Sequence, residues 1–219
     1  MKLNTFILTA GLGLAVIAPR ALMATVFATD PTGNWNTSVE YATVGTPFTV
    51  GGNPMVITSL GFFDMDAHGL STPHLVGIYN QARTLLGSVE VRAGTASTLH
   101  DGSRWEPLVE PIALYANTTY MLAATIDSMG DPFNVAAPAE VTLGNGFTLA
   151  GTNWTYALGA TFKYPGSQGT GGRYLFGGNM AARDTDPVPE PGQSAKMAVT
   201  ALGIDCYAAR RVRAKTNVG

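Results

Sequence analysis

The chain has 219 residues, of which 46% are hydrophobic and 13% are charged, and its formal net charge is −2. This length suits one domain with a substantial core plus short terminal segments, and the single cysteine, Cys206, excludes an internal disulfide. Residues 29–186 carry 13 acidic and six basic side chains, a net charge near −7. An acidic domain disfavours nucleic acid as a partner, because phosphates are bound by clustered Lys and Arg.

The first 28 residues are typical of a secretory signal peptide. Lys2 precedes an apolar run over residues 6–18, and small residues follow the run. Val26-Phe27-Ala28 offers small-residue positions for cleavage, and Leu22-Met23-Ala24 is an alternative. A buried first helix is the competing interpretation, but two glycines in the run would weaken it. We therefore expect an exported protein whose signal peptide spans residues 1–28.

Apolar runs of strand length alternate with turn residues through the middle of the chain. Pro107 and Pro111 interrupt one of these runs and predict an edge or bulged strand there. Few segments could hold a helix of 12 residues, which disfavours a parallel βαβ architecture. The sequence predicts an all-β fold, a single antiparallel β-sandwich or jelly roll over residues 29–186. The predicted strands are 46–50, 55–63, 74–79, 85–91, 105–114, 118–124, 147–150 and 160–164.

Short motifs follow one another in order along residues 43–126. They are Leu60-Gly61-Phe62-Phe63-Asp64, Gly69-Leu70, His74-Leu75-Val76-Gly77-Ile78-Tyr79, Thr84-Leu85-Leu86-Gly87-Ser88 and Asn117-Thr118-Thr119-Tyr120. This order resembles an uncharacterised β-sandwich domain of exported PEP-CTERM proteins. Two positions differ from that pattern, since Asn117 stands where Gly is usual and His68 where Asp is favoured. The resemblance implies a fold and export but no activity.

The last segment, residues 187–219, resembles a PEP-CTERM sorting tail. Val188, Pro189, Glu190 and Pro191 form a proline-flanked acidic motif, an apolar segment follows, and Arg210, Arg211 and Arg213 make a basic end. The resemblance implies a short sorting helix, an exosortase-type sorting protease as partner, and weak or transient association with the membrane.

The apolar part of this tail departs from the family pattern. A membrane span needs about 20 predominantly apolar residues, but Lys196 and Asp205 interrupt this one. A carboxylate costs about 2.5–3.5 kcal/mol at the centre of a membrane helix. The alternative interpretation is a proline-rich linker followed by an amphipathic tail.

Asp64 and Asp66 are the candidate metal ligands. Alternate residues of a loop can point two carboxylates the same way, and oxygen ligands of this kind bind Ca²⁺. The spacing lacks the other ligands of an EF-hand loop. The alternative is that both side chains cap a turn after a strand, a common role of Asp. No other cofactor is predicted.

Two other features have simpler structural explanations. His74 opens an apolar strand, and no nucleophile motif or zinc-binding cysteine pair accompanies it, so we expect a structural hydrogen bond to loop backbone. Residues 166–173 are rich in glycine, but a phosphate-binding loop would need a helix after it, and Arg173-Tyr174-Leu175-Phe176 is typical of a strand. We expect a hairpin or loop there.

Trp154 and Tyr156 are the candidate ligand-binding residues. In Asn153-Trp154-Thr155-Tyr156 the two aromatic side chains alternate, which places them on one face of a strand. Exposed aromatic rings stack on the apolar face of sugars, so polysaccharide is a candidate partner. The alternative is that this face belongs to the core.

Together these features predict a non-enzymatic protein of the cell envelope or extracellular matrix. A carbohydrate-binding module, with or without calcium, is the second hypothesis. A secreted hydrolase that uses Asp64 or Glu106 as general acid or base is the third, and it requires two carboxylates in one cleft at about 5–9.5 Å.

Overall fold

The computed structural model describes residues 25–29, 31–37, 41–127 and 130–184. Most of the predicted signal peptide and the whole sorting tail, with its motif and basic end, lie outside these residues. The described residues form strands and one 3-10 turn, Pro138–Glu140. The strands are β1 (Thr25–Val26), β2 (Ala28–Thr29), β3 (Asn34–Asn36), β4 (Ala42–Val50), β5 (Met55–Phe63), β6 (His74–Tyr79), β7 (Leu85–Val91), β8 (Thr98–His100), β9 (Ser103–Leu114), β10 (Thr119–Ile126), β11 (Phe133–Ala136), β12 (Thr142–Leu143), β13 (Phe147–Leu149), β14 (Thr155–Leu158), β15 (Ser167–Gln168), β16 (Tyr174–Phe176) and β17 (Gly178–Asp184).

Two larger sheets and two small ones organise these strands. The five-stranded sheet has the order β1-β17-β5-β9-β8, and the seven-stranded sheet has the order β15-β14-β4-β10-β6-β7 with β13 beside β4. The small sheets are β16-β11-β3 and β12-β2. Neighbouring strands pair antiparallel. The prediction of an all-β protein built from antiparallel sheets is therefore confirmed.

The core lies where inward-facing side chains of the two larger sheets meet. Leu60 and Phe62 from β5 and Val76 and Ile78 from β6 are fully buried members of one connected cluster. Alternating strand residues point to opposite faces of a sheet, so each larger sheet gives one apolar face to this cluster. The arrangement is sandwich-like.

Most predicted strands coincide with observed ones, and β5, β6 and β7 have the expected bounds. The pairing of β5 with β9 shifts register between Ile57 and Ser59, opposite the stretch of β9 that contains Pro107 and Pro111. Proline has no N–H to donate to a ladder, which accounts for the irregularity. Asn117, at the position where the resembling pattern has Gly, adopts a φ of 54°, in the left-handed region that Asn tolerates.

The predicted strand over residues 160–164 is wrong. This segment is irregular and lies across the outer face of the seven-stranded sheet, where Phe162 and Tyr164 pack against Tyr79. The approach is so close that a Cβ at Gly45 would lie 2.4 Å from Pro165 Cγ. The aromatic residues that suggest a strand thus cover a sheet instead of extending one.

Residues 25–29 are already packed into the body, although the sequence predicts that the domain starts at residue 29. β1 pairs with β17, β2 pairs with β12, and Phe27 between them is fully buried. No helix among the described residues is long and apolar enough to cross a membrane.

Candidate functional site

Asp64, the first predicted calcium ligand, is buried against an arginine. It follows β5 directly and is 4% exposed, and Arg104 of β9 donates from Nε to its Oδ2 over 2.7 Å. The backbone N–H of Gly69 donates to the same oxygen over 3.1 Å. A buried carboxylate is tolerated when it is paired and hydrogen-bonded. The protein itself therefore supplies the partners of this Oδ2 atom.

The Arg104 guanidinium also connects two loops. Its Nη2 donates to the carbonyl of Ala67 over 3.0 Å, and its Nη1 donates to the carbonyl of Ser97 over 3.2 Å. The planar fork of arginine suits several directed bonds at once. The turn after β5 is thereby held to the segment before β8.

Asp66, the second predicted calcium ligand, is exposed. Its Oδ1 accepts the backbone N–H of His68 over 3.0 Å, and His68 Nδ1 lies 3.4 Å from its Oδ2. The hydrogen bond from the His68 N–H lowers the pKa of Asp66 below its ordinary value. In the part of the chain that the structure describes, no three His, Cys, Asp or Glu side chains are grouped as metal ligands. The calcium site at Asp64 and Asp66 stays a prediction. Both side chains accept backbone N–H groups of the following turn, as the alternative of turn capping expects.

His74 is a buried cross-link at the start of β6. Its ring is stacked on Phe62, with centroids 3.8 Å apart and planes 6° apart. Nδ1 lies 2.8 Å from the carbonyl oxygen of Thr125, and Nε2 lies 2.9 Å from Asp131 Oδ2. Both ring nitrogens face oxygen atoms, so the ring links the backbone of β10 to the Asp131 carboxylate. The backbone partner of His74 lies in strand β10, whereas the sequence predicted a loop. The contact with the Asp131 carboxylate was not predicted.

Asp131 ties the turn before β6 to the segment before β11. Its two carboxylate oxygens accept the backbone N–H groups of Ser71 over 2.7 Å and Thr72 over 3.0 Å. Burial alone would raise the pKa of Asp131, but the bonds from His74, Ser71 and Thr72 outweigh it and lower that pKa. The Thr72 hydroxyl in turn donates to the carboxylate of Asp127. Through these bonds the cluster holds together the turn before β6, the end of β10 and the segment before β11.

An open cleft of about 390 Å³ lies beside both buried carboxylates. Trp35 and Asn36 of β3 line one part of it and Met65 and Asp66 another. Trp35 packs edge-on against Phe63, with ring centroids 6.0 Å apart. The cleft thus combines one aromatic ring with amide and carboxylate groups, a set suited to a hydroxyl-rich or cationic ligand.

Trp154 and Tyr156, the predicted ligand-binding pair, share one face as their alternation predicts. Their ring centroids are 5.1 Å apart, the planes are tilted by 36°, and both side chains are half-buried. They line an apolar groove of about 420 Å³ together with Leu158, Phe133 and Leu175. The groove lies between the seven-stranded sheet and the three-stranded sheet.

The loop over residues 166–173 fixes the Trp154 ring. The indole Nε1 donates to the carbonyl of Thr170 over 3.4 Å, and a Cβ at Gly169 would lie 1.9 Å from the ring. A glycine is therefore needed where the ring meets the backbone. The glycine-rich stretch supports the aromatic pair, contains the short strand β15 that pairs antiparallel with β14, and leads into β16.

Glu106, named in the hydrolase hypothesis, is paired with a cation. Glu106 Oε1 accepts a hydrogen bond from Arg92 Nε over 2.7 Å and another from the Ser97 hydroxyl over 2.6 Å. Burial raises the pKa of Glu106, but these two donors lower it overall. A general acid needs a raised pKa, so the geometry does not favour this residue in that role.

A scan against protein-family models finds no matching family, and a search of the curated proteins finds no match.

Arg104, Asp131 and Asn179 are among the buried polar residues that no sequence pattern indicated. Arg104 is 40 residues from Asp64, and Asp131 is 57 residues from His74. Neither pair has a local spacing signal, because strand pairing alone brings the partners together.

Proposed function

We propose that this chain is an exported, non-enzymatic protein of the cell envelope or extracellular matrix, sorted by the PEP-CTERM-like tail at residues 187–219. The observation that carries the proposal is the order of motif, apolar segment and basic end in the sequence. β17 ends at Asp184, four residues before Val188, so the motif follows the packed body directly.

The position of the two ends supports this arrangement. Thr25 of β1 pairs with Ala182 of β17 in antiparallel register. The first described strand and the last strand before the tail thus lie side by side. A body whose two ends meet at one place can be held at a membrane through either end while the rest projects outward.

Sorting proceeds in three steps under this proposal. Arg210, Arg211 and Arg213 keep the C-terminus on the cytoplasmic side, as expected from the positive-inside rule. The apolar segment enters the membrane, and the motif at Pro189-Glu190-Pro191 stands near its outer face. An exosortase-type protease then processes the tail. Asp205 makes the membrane step weak, and the association is transient.

The test is the intact mass of the protein from its host, with envelope and medium kept separate. We expect a C-terminus near Pro191, and we expect Glu190→Ala to abolish that product. Gln193→Ala, just beyond the motif, is the matched control and should be processed as the native chain is. Recovery of a chain that still ends at Gly219 from the medium would contradict sorting.

A second candidate function is carbohydrate binding in the groove of Trp154 and Tyr156. The specific observation that favours it is the pair of adjoining, half-exposed rings at an open groove. Aromatic faces match the apolar C–H face of a pyranose. Asn36, which also lines the groove, supplies an amide group for sugar hydroxyls under this proposal.

Affinity electrophoresis of the full chain in gels containing exopolysaccharide from the same host tests this function. We expect Tyr156→Ala to weaken retardation about tenfold, or about 1.4 kcal/mol. Tyr115→Ala removes an aromatic ring that is 73% exposed and lies outside the groove, and it should leave retardation unchanged. Equal behaviour of the two variants would refute binding at this groove.

A further inference from the structure

The first described residues are built into the body. The backbone N–H of Phe27 donates to the carbonyl of Met180 over 2.8 Å, and its carbonyl accepts the N–H of Gly144 over 2.9 Å. On either side, Val26 pairs with Ala181 in β17 and Ala28 pairs with Leu143 in β12. The segment over residues 25–29 therefore joins two sheets.

Phe27 contributes its side chain to the centre of the core. It is fully buried, and its ring lies 5.2 Å from that of Phe48, 5.4 Å from that of Phe147 and 6.5 Å from that of Phe176. These three partners belong to β4, β13 and β16. Removal of Phe27 would leave a cavity among aromatic rings contributed by three strands.

Asn179 binds the backbone of Ala28 in the way that a neighbouring strand would. The N–H of Ala28 donates to Asn179 Oδ1 over 3.2 Å, and Asn179 Nδ2 donates to the carbonyl of Ala28 over 2.8 Å. Both residues are fully buried. Without Ala28, the amide of Asn179 would lose two partners at a site closed to water, which is costly.

We propose that signal peptidase cleaves the bond between Ala24 and Thr25, so that the mature protein begins at Thr25. This inference rests on the proposed export. Water adds across the peptide bond, its hydroxyl to the carbonyl carbon of Ala24 and its proton to the nitrogen of Thr25. Ala24 is a small residue at the cleaved bond, as such sites require.

Cleavage after Ala28, the bond that the sequence pattern favours, conflicts with the packing. It would remove Phe27 from the aromatic cluster and Ala28 from Asn179. Cleavage after Ala24 keeps both and places the new amino group on Thr25, which is half-exposed at the end of β1. A charged amine is tolerated there because it reaches water.

N-terminal sequencing and intact mass of the protein from the envelope and medium of its host test the site. We expect all mature chains to begin at Thr25. Mature chains that begin at Thr29, or at any residue other than Thr25, would overturn the inference and leave export standing. Chains that keep Met1 and remain in the cytoplasm would instead overturn the proposed export.

Two substitutions in the full chain distinguish the competing bonds. Ala24→Gln places a large polar residue at the proposed site, and we expect loss of the Thr25 species with accumulation of precursor. Val26→Gln places a large polar residue at the competing site, three residues before its bond, at a half-buried position of β1. We expect its processing to match that of the native chain. A block by Val26→Gln together with normal processing of Ala24→Gln would overturn the inference.

Discussion

We expect Arg104→Leu to lower the free energy of unfolding by about 3–5 kcal/mol, the usual loss when one partner of a buried ion pair is removed. The substitution leaves the Asp64 carboxylate 4% exposed without its donor at 2.7 Å. It also removes the donors of the Ala67 and Ser97 carbonyls. For a domain of this size, about 3–5 kcal/mol corresponds to a fall in Tm of about 6–20 °C.

A double-mutant cycle with Asp64→Asn isolates the ionic part of the interaction energy between Arg104 and Asp64. Asn keeps an acceptor for the Gly69 N–H but carries no charge, so Arg104→Leu should cost less in its presence. The energies of contacting residues couple by about 0.5–3 kcal/mol. We therefore expect the double variant to be more stable than the sum of the single losses predicts.

Urea unfolding at neutral pH, followed by tryptophan fluorescence and circular dichroism, is the assay. Arg92→Leu at the Arg92–Glu106 pair is the matched control, since Arg92 is 56% exposed and such pairs are worth about 0–1 kcal/mol. Additive single losses, or an Arg104→Leu loss no larger than that of Arg92→Leu, would refute the buried-pair reasoning.

Three further outcomes follow from buried groups of the body. Phe27→Ala should lower the free energy of unfolding by about 3–5 kcal/mol, whereas exposed Tyr115→Ala should change it by less than about 0.5 kcal/mol in the same urea assay. The pKa of Asp131 is lowered from 3.8 in the folded protein, so its stabilising contribution is present above about pH 4 and is lost as the pH falls through the folded value. Asp131→Asn should therefore flatten the acid side of a plot of Tm against pH, and an unchanged slope would contradict this. Excess EDTA should leave Tm unchanged because Asp64 Oδ2 already accepts from protein donors, and a rise of Tm on adding calcium would instead support the predicted site at Asp64 and Asp66.

Local patterns were sufficient for the strands that carry a regular apolar periodicity. The runs at β5, β6 and β7 end at turn residues, and those boundaries depend only on neighbours in the chain. Residues 160–164 have a similar composition but no partner strand. Their aromatic side chains are half-buried on the outside of a sheet, and no local pattern distinguishes the two situations.

The position of the aromatic pair could be predicted from the sequence, but the partners of the buried carboxylates could not. Two-residue alternation is enough to place Trp154 and Tyr156 on one face, because a strand turns each side chain over at every step. The partner of Asp64 depends on how β5 and β9 align, including a register shift within their pairing. One residue of slip would bring a different side chain to that position.

From its sequence alone this chain could be recognised as all-β and antiparallel, with an acidic body between an apolar leader and a motif-bearing tail. Those properties follow from composition and short-range periodicity. Only the tertiary structure decided that Arg104 neutralises Asp64, that Asp131 faces His74, and that residues 25–29 belong to the body with Phe27 in its core. The reason is that each of these depends on contacts between residues far apart in the chain, which the pairing of strands creates.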